Sequence, residues 1–98
     1  MAAYEIVLKH SAIADLDASR KFDAAQIADA TEKHLRHNPA KESKSRIKRL
    51  RGLSSPDHRL RAGENRVFCA VDEDGRWVDV LRAMHKDQTA SYYEELKR

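Results

Sequence analysis

The second half of the chain constrains the fold more than any other stretch. Three strand-like runs, His58-Arg59-Leu60-Arg61, Arg66-Val67-Phe68-Cys69-Ala70-Val71 and Arg76 through Met84, are separated by two short turn-forming segments. Ala62-Gly63-Glu64-Asn65 can reverse the chain once and Asp72-Glu73-Asp74-Gly75 a second time, because glycine, asparagine and aspartate accept the dihedrals of tight hairpins. Connections this short join only antiparallel neighbours, so the stretch predicts a three-stranded meander. Alternation along its first strand sets Leu60 on one face and Arg59 with Arg61 on the other.

The first half supplies the elements that cover such a sheet. Tyr4, Ile6 and Leu8 alternate as in an opening strand. Ser11 can cap a short helix from Ala12 to about Ala18, with Ile13 and Leu16 on one face. Asp23 and Gln26 have the spacing of a capping box for a second helix running to about Arg36, and Asn38-Pro39 ends it because the residue before proline is pushed out of the helical region. From Ala40 to Gly52 the residues are polar and basic, and a loop is expected there, pinned to the core by Ile47, Leu50 and Leu53. Asp87 can cap a closing helix from about Gln88 to Lys97, in which Tyr93 and Leu96 share a face. The order β-α-α-β-β-β-α predicts an α+β domain: an antiparallel sheet with two N-terminal helices on one face and a C-terminal helix.

At 98 residues the chain fits one compact domain. Its net charge of +3 hides an uneven distribution. From Lys33 to Arg66 there are eleven lysines and arginines against three acids, a local +8, which leaves −5 for the rest. That basic middle reads either as a solvated surface or as a docking surface for a polyanion or an acidic protein. Cys69, the single cysteine, excludes an internal disulfide framework and sits in an apolar run as a core thiol. No charged-then-apolar leader and no stretch near the ~20 apolar residues of a membrane span is present, so a cytoplasmic protein is expected. His34 and His37 could meet on one helix face, but a third ligand is lacking and neither metal nor other cofactor is expected. Trp77, just after a turn, reads as a core or edge aromatic.

If the meander pairs as predicted, Arg66 begins the strand beside Arg59 and Arg61, and three guanidinium groups share the open sheet face. His85 and Lys86 arrive at the end of the last strand. Metal-free RNA cleavage needs a base for the 2′-hydroxyl, fixed positive charge for the phosphorane and a proton donor for the departing 5′-oxygen. Arginine suits the middle role, since its planar fork binds two phosphate oxygens and stays charged. Solvated arginines, or arginines that bind an acidic chain, would look the same in sequence.

Three blocks carry a family resemblance: Ile47-Lys48-Arg49-Leu50-Arg51-Gly52-Leu53, then His58-Arg59-Leu60-Arg61-Ala62-Gly63-Glu64-Asn65-Arg66-Val67, then Val80-Leu81-Arg82-Ala83-Met84-His85-Lys86. In order and spacing they resemble the RelE/ParE superfamily of toxins from type II toxin-antitoxin pairs. RelE-like members cut messenger RNA at the ribosome and are neutralised by an antitoxin. The resemblance implies catalytic or phosphate-binding roles for Arg59, Arg61 and Arg66, with Lys86 where the family usually has arginine and Tyr92 where it has a tyrosine; Tyr93 competes for that position. His58 and Asn65 replace family tyrosines and Arg59 stands where a lysine base is frequent, which leaves the base open, with His58 and His85 as substitutes. Lys44, Arg46, Lys48, Arg49 and Arg51, together with His58, would grip RNA through phosphates, or the same stretch would receive an acidic antitoxin segment. The implied partners are an antitoxin, messenger RNA and the ribosome with its RNA, and operator DNA only through the antitoxin complex. The alternatives are a ParE-like toxin that inhibits DNA gyrase without catalysis, and a silent relative that only binds its antitoxin.

Overall fold

In a computed structural model, which describes residues 3–42, 46–53 and 55–97, the meander forms as expected. Strand β1 (Glu5–Leu8) is followed by helices α1 (His10–Ala18) and α2 (Lys21–Leu35), strands β2 (Ile47–Arg49), β3 (His58–Ala62), β4 (Asn65–Asp72) and β5 (Trp77–His85), a 3₁₀ turn (Lys86–Gln88) and helix α3 (Thr89–Leu96). The five strands lie in the order β1-β5-β4-β3-β2.

Two features go beyond the sequence expectation. Ile47–Arg49, expected as loop, adds to β3 as an antiparallel edge strand. Its neighbours explain this: Ile47 is buried in the core under α2, while Leu50 and Leu53 pack on the other side of the sheet, so the segment must cross the sheet edge extended. The sheet is also mixed, because β1 pairs parallel to β5, Ile6 opposite Val78 and Leu8 opposite Val80. The α1–α2 crossover separates β1 from the meander and carries the chain to the far edge.

The sheet buries both faces unequally. Alternation sends Leu60, Ala62, Val67, Cys69, Val78 and Val80 against Ala12 of α1 and Ile27 and Leu35 of α2. On the opposite face a smaller cluster forms where Phe68, Met84 and Leu50 meet Tyr92 of α3. The short α3 therefore covers only part of that face. A register irregularity between Phe68 and Cys69 shifts the pairing of β5 by one residue, so Phe68 opposes Arg82 while Cys69 opposes Val80.

Helix α2 begins at Lys21, and its N-cap, Arg20, lies three residues before the predicted cap. Asp23 and Gln26 instead reach the sheet: the Asn65 amide donates to Asp23 Oδ1 and to Gln26 Oε1, both at 3.0 Å. The contact fixes the β3–β4 hairpin. Gly63 occupies the first central position of that two-residue turn with φ +61°, where a type II′ turn places glycine, and a Cβ there would lie 2.4 Å from the Gln26 side chain. Similarly, Asp87 does not cap the closing helix: His85 caps the 3₁₀ turn before it, its Nδ1 accepting from Asp87 N–H at 3.1 Å, and α3 starts from Gln88 with no side-chain cap bond. Among the described residues no helix is long and apolar enough to cross a membrane.

Candidate functional site

The clamped hairpin presents Arg61 and Arg66 directly opposite each other, one on each strand. Arg59 lies two residues from Arg61 and shares its face, opposite Phe68 on one side and Lys48 on the other. The predicted convergence of Arg59, Arg61 and Arg66 is thus present, with Lys48 at its border, on the sheet face that α3 leaves open.

Four cations elsewhere on the molecule are held by ion pairs. Arg20 is paired with Asp23, Arg36 with Glu32, Arg82 with Asp15 and Lys86 with Glu64. Arg59, Arg61 and Arg66 form no ion pair with an acid among the described residues. Arg66 Nη1 donates to the carbonyls of Gly63 and Asn65, both at 2.9 Å, and Arg59 Nη1 donates to the Tyr93 hydroxyl at 3.2 Å. Partial burial and the charges of Arg59 and Arg61 lower the pKa of Arg66. Glu64 offsets part of that charge on Arg66 without pairing with it, and three guanidinium groups held together with no bonded carboxylate favour an arriving anion, whose oxygens the forks of arginine suit if it is a phosphate.

Lys86 and Glu64 border the set. The Lys86 N–H donates to Glu64 O at 2.8 Å and its ammonium lies 2.6 Å from Glu64 Oε2. That hydrogen bond, with help from His85 and Arg66, holds the Glu64 carboxyl below its ordinary range.

The two tyrosines diverge. Tyr92 is buried edge-on against Phe68, with ring centroids 4.8 Å apart, beneath the Arg82 guanidinium at 5.2 Å, and burial raises its phenol. Tyr93 also packs edge-on against Phe68, at 5.7 Å, but its hydroxyl emerges beside Arg59. Consecutive helix residues point about 100° apart. Of the pair, the structure brings Tyr93, not Tyr92, to the arginines.

Other predicted site residues lie elsewhere. His58 is 3% exposed on the α2 face of the sheet, its Nδ1 bonded to Asp57 Oδ1 at 2.7 Å, so an RNA contact by this ring is corrected: its strand turns it away from Arg59 and Arg61. Arg49, opposite His58, shares that orientation and lines a shallow pocket with Asp57 and Asp72. Arg46 lines a different pocket at the end of α2, and Arg51 is exposed in the turn after β2. Lys44 lies outside the described residues. His85 opposes Asn65 and, with Tyr92, lines a groove of about 470 Å³ between α1, β5 and α3. Across this groove Asp15 binds Arg82 at 2.7 Å and Ala83 N–H at 2.9 Å, tying α1 to the half of β5 that has no β1 partner. Sequence reading gave Asp15 and Glu64 no role at the site and set Tyr93 behind Tyr92 on spacing, although Tyr93 and Leu96 share the inward-facing edge of α3. Cys69 is buried as expected, its thiol pushed up to about 12 by burial, which leaves it inert as a nucleophile. Among the described residues no group of His, Cys, Asp and Glu could hold a metal ion.

A five-stranded sheet of this order with two N-terminal helices and a C-terminal helix is the fold of RelE. The chain is similar to the toxin-antitoxin complex RelBE2 from Mycobacterium tuberculosis (TM-score 0.73, 21% identity, 86% of this chain and 99% of that one). It is similar also to E. coli RelE, solved as an arginine-to-alanine double mutant in the free state (TM-score 0.70, 18% identity, 98% and 97%). A third neighbour is the archaeal RelE-RelB complex from Pyrococcus horikoshii OT3 (TM-score 0.68, 19% identity, 85% and 94%). No protein-family model and no curated protein matches the sequence.

Proposed function

We propose that the chain is the toxin of a type II toxin-antitoxin pair and a metal-independent endoribonuclease that cuts messenger RNA at the ribosome. The observation that carries this reading is the cluster of Arg59, Arg61 and Arg66, held on one open sheet face with no ion pair to an acid among the described residues. A scissile phosphate would sit between their forks. Attack of the 2′-oxygen, whose proton passes to solvent water, forms a P–O2′ bond and breaks the P–O5′ bond, leaving a 2′,3′-cyclic phosphate and a 5′-hydroxyl. Charge grows on the non-bridging oxygens along the way, and fixed guanidinium groups stabilise it more than they stabilise the ground state. Lys86, at the border beside Glu64, is assigned the proton given to the 5′-oxygen, and Tyr93 the orientation of the ribose or base next to Arg59. Two of the structural neighbours are toxins bound to their antitoxins, and an antitoxin that covers this face would silence it.

The test is a translating extract programmed with a reporter messenger, with product ends mapped by primer extension. Ribosome-dependent cuts with 5′-hydroxyl ends are expected from the wild type and lost from Arg61→Ala and Arg66→Ala. Intact messenger alongside a DNA-damage response on induction would overturn the reading in favour of a gyrase inhibitor.

A further inference from the structure

The cationic surface does not end at the arginine face. Helix α2 stops at Leu35, and at its C-terminal end Lys33 and His34 of the last turn, with His37, Asn38 and Lys41 beyond it, surround a pocket of about 320 Å³ closed on the sheet side by Arg46 and Ile47. Arg61 N–H donates to Arg46 O at 2.8 Å, so the pocket wall continues the β2–β3 pairing that carries Arg59 and Arg61. Neighbouring strands are ~4.8 Å apart, which places this pocket one strand beyond the arginine face, around the β2 edge.

We propose that this pocket is a second phosphate site, which holds the backbone of the RNA strand at a nucleotide remote from the one at Arg59, Arg61 and Arg66. The inference rests on the RNA reading above and deepens it.

Charge and chemistry both favour a phosphate. Of the two carboxylates near the pocket, Glu32 is paired with Arg36, and Glu42 lines the wall with Oε1 accepting Arg49 N–H at 3.0 Å. Three lysine or arginine side chains and two imidazoles face the same space. Cations near a helix C-terminus gain somewhat from the dipole, but that gain requires no cavity and no contribution from the sheet edge. His34 adds a signature: partial burial, then the charges of Arg46 and Lys33, lower its pKa. The groups facing it are Lys33 and His37 from α2 and its end, Lys41 and Glu42 from the connection, and Arg46 beside β2. An entering phosphate would reverse the sign of that field, so binding should raise the His34 pKa and draw in a proton, and affinity should increase as pH falls toward 6. An acidic protein segment is the competing occupant. The RNA backbone is favoured because Arg46 of the pocket wall is bonded through its carbonyl to Arg61, so a strand crossing the β2 edge would pass from the arginines to the pocket.

The experiment uses the full chain and fluorescent, 2′-O-methylated RNA of four and twelve nucleotides, which binds without being cut. Anisotropy across a salt series gives the slope of log K against log salt, which falls by ~0.7 per lost contact on a single strand. The double substitution Lys33→Gln with Lys41→Gln should lower the twelve-mer slope by about 1.4, two contacts at ~0.7 each, and reduce the twelve-mer to four-mer affinity ratio several-fold. His34 ring signals in NMR should titrate at higher pH with the twelve-mer bound. An unchanged affinity ratio, or a His34 titration unmoved by RNA, would overturn the proposal. So would loss of poly-glutamate binding with the RNA slope intact, which assigns the pocket to an acidic chain. Cleavage of unmodified messenger, followed in parallel with Arg66→Ala, reports on the arginine face separately. Loss of the long-RNA advantage with no cleavage by any variant would refute the nuclease reading and keep the second phosphate site.

Discussion

Replacing Arg66 tests the chemistry most directly, because the structure says which of its donors are free. A guanidinium carries five N–H groups in a fixed fork. Both hydrogens of Nη1 are occupied by the Gly63 and Asn65 carbonyls at 2.9 Å, which leaves the Nε–Nη2 edge to grip two phosphate oxygens. Arg66→Ala removes both charge and fork. Loss of one such transition-state contact costs about 2.7–4 kcal/mol, or roughly 100- to 1,000-fold in the cleavage rate. Arg66→Lys has three donors, and with two retained on the carbonyls only one reaches the phosphate. About half the stabilisation, roughly 1.5–2 kcal/mol, should then be lost, which lowers the rate about 10- to 30-fold. The carbonyls it releases lie at an exposed turn, so either variant should lose no more than about 1 kcal/mol of stability. Single-turnover cleavage of a ribosome-bound messenger measures the rates, and circular-dichroism melting controls for folding. If the alanine variant retains more than about a third of the wild-type rate at an unchanged melting temperature, Arg66 does not stabilise the phosphorane.

Asp15→Ala should destabilise the chain by about 2–3 kcal/mol, since it strands the buried Ala83 N–H and releases Arg82; for a domain this size that lowers the melting temperature by roughly 10–20 °C. A fall of less than about 3 °C would show that α1 is held to β5 by other contacts. Tyr93→Phe should slow cleavage about fivefold and cost no more than about 1 kcal/mol of stability, the worth of one hydrogen bond to Arg59, whereas Tyr92→Ala should cost about 3 kcal/mol of stability through the Phe68 cluster. The reverse pattern, in which Tyr92→Phe impairs cleavage and Tyr93→Phe does not, would exchange their roles. Stability should fall on acidification in two stages. His34 has a folded pKa below its ordinary 6.5, so the unfolded chain takes up its proton first and stability begins to fall below that pH. Asp23, Glu32 and Glu64, also depressed, have contributions that are present above the ordinary carboxylate range and lost as pH falls through their folded values. Urea midpoints from pH 8 to 3 would show both stages, and a midpoint that rises between pH 7 and 5.5 would contradict the His34 part.

The sequence by itself determined the meander and the face of its arginines. Period-two alternation in His58–Ala62 and a glycine at the hairpin turn are local properties, and local sterics decide them before any tertiary contact forms. The same locality limits what could be read. Ile47–Arg49 has too few residues to reveal a strand, and it becomes one because β3 offers an unpaired edge and the two faces of the sheet draw Ile47 and Leu50 to opposite sides. Asp23 and Gln26 match a helix cap in sequence, yet they satisfy an amide 42 and 39 residues away, a partner only the packed chain supplies. His58 stands next to Arg59 in the chain and on the opposite face in the sheet. Between Tyr92 and Tyr93, one helix position decided which hydroxyl meets Arg59 and which ring is buried, because the way α3 packs on Phe68 sets its rotation. Backbone pattern, then, set where the arginines stand, and only tertiary packing decided which side chains stand with them, since neutralising or freeing a charge depends on residues distant in the chain.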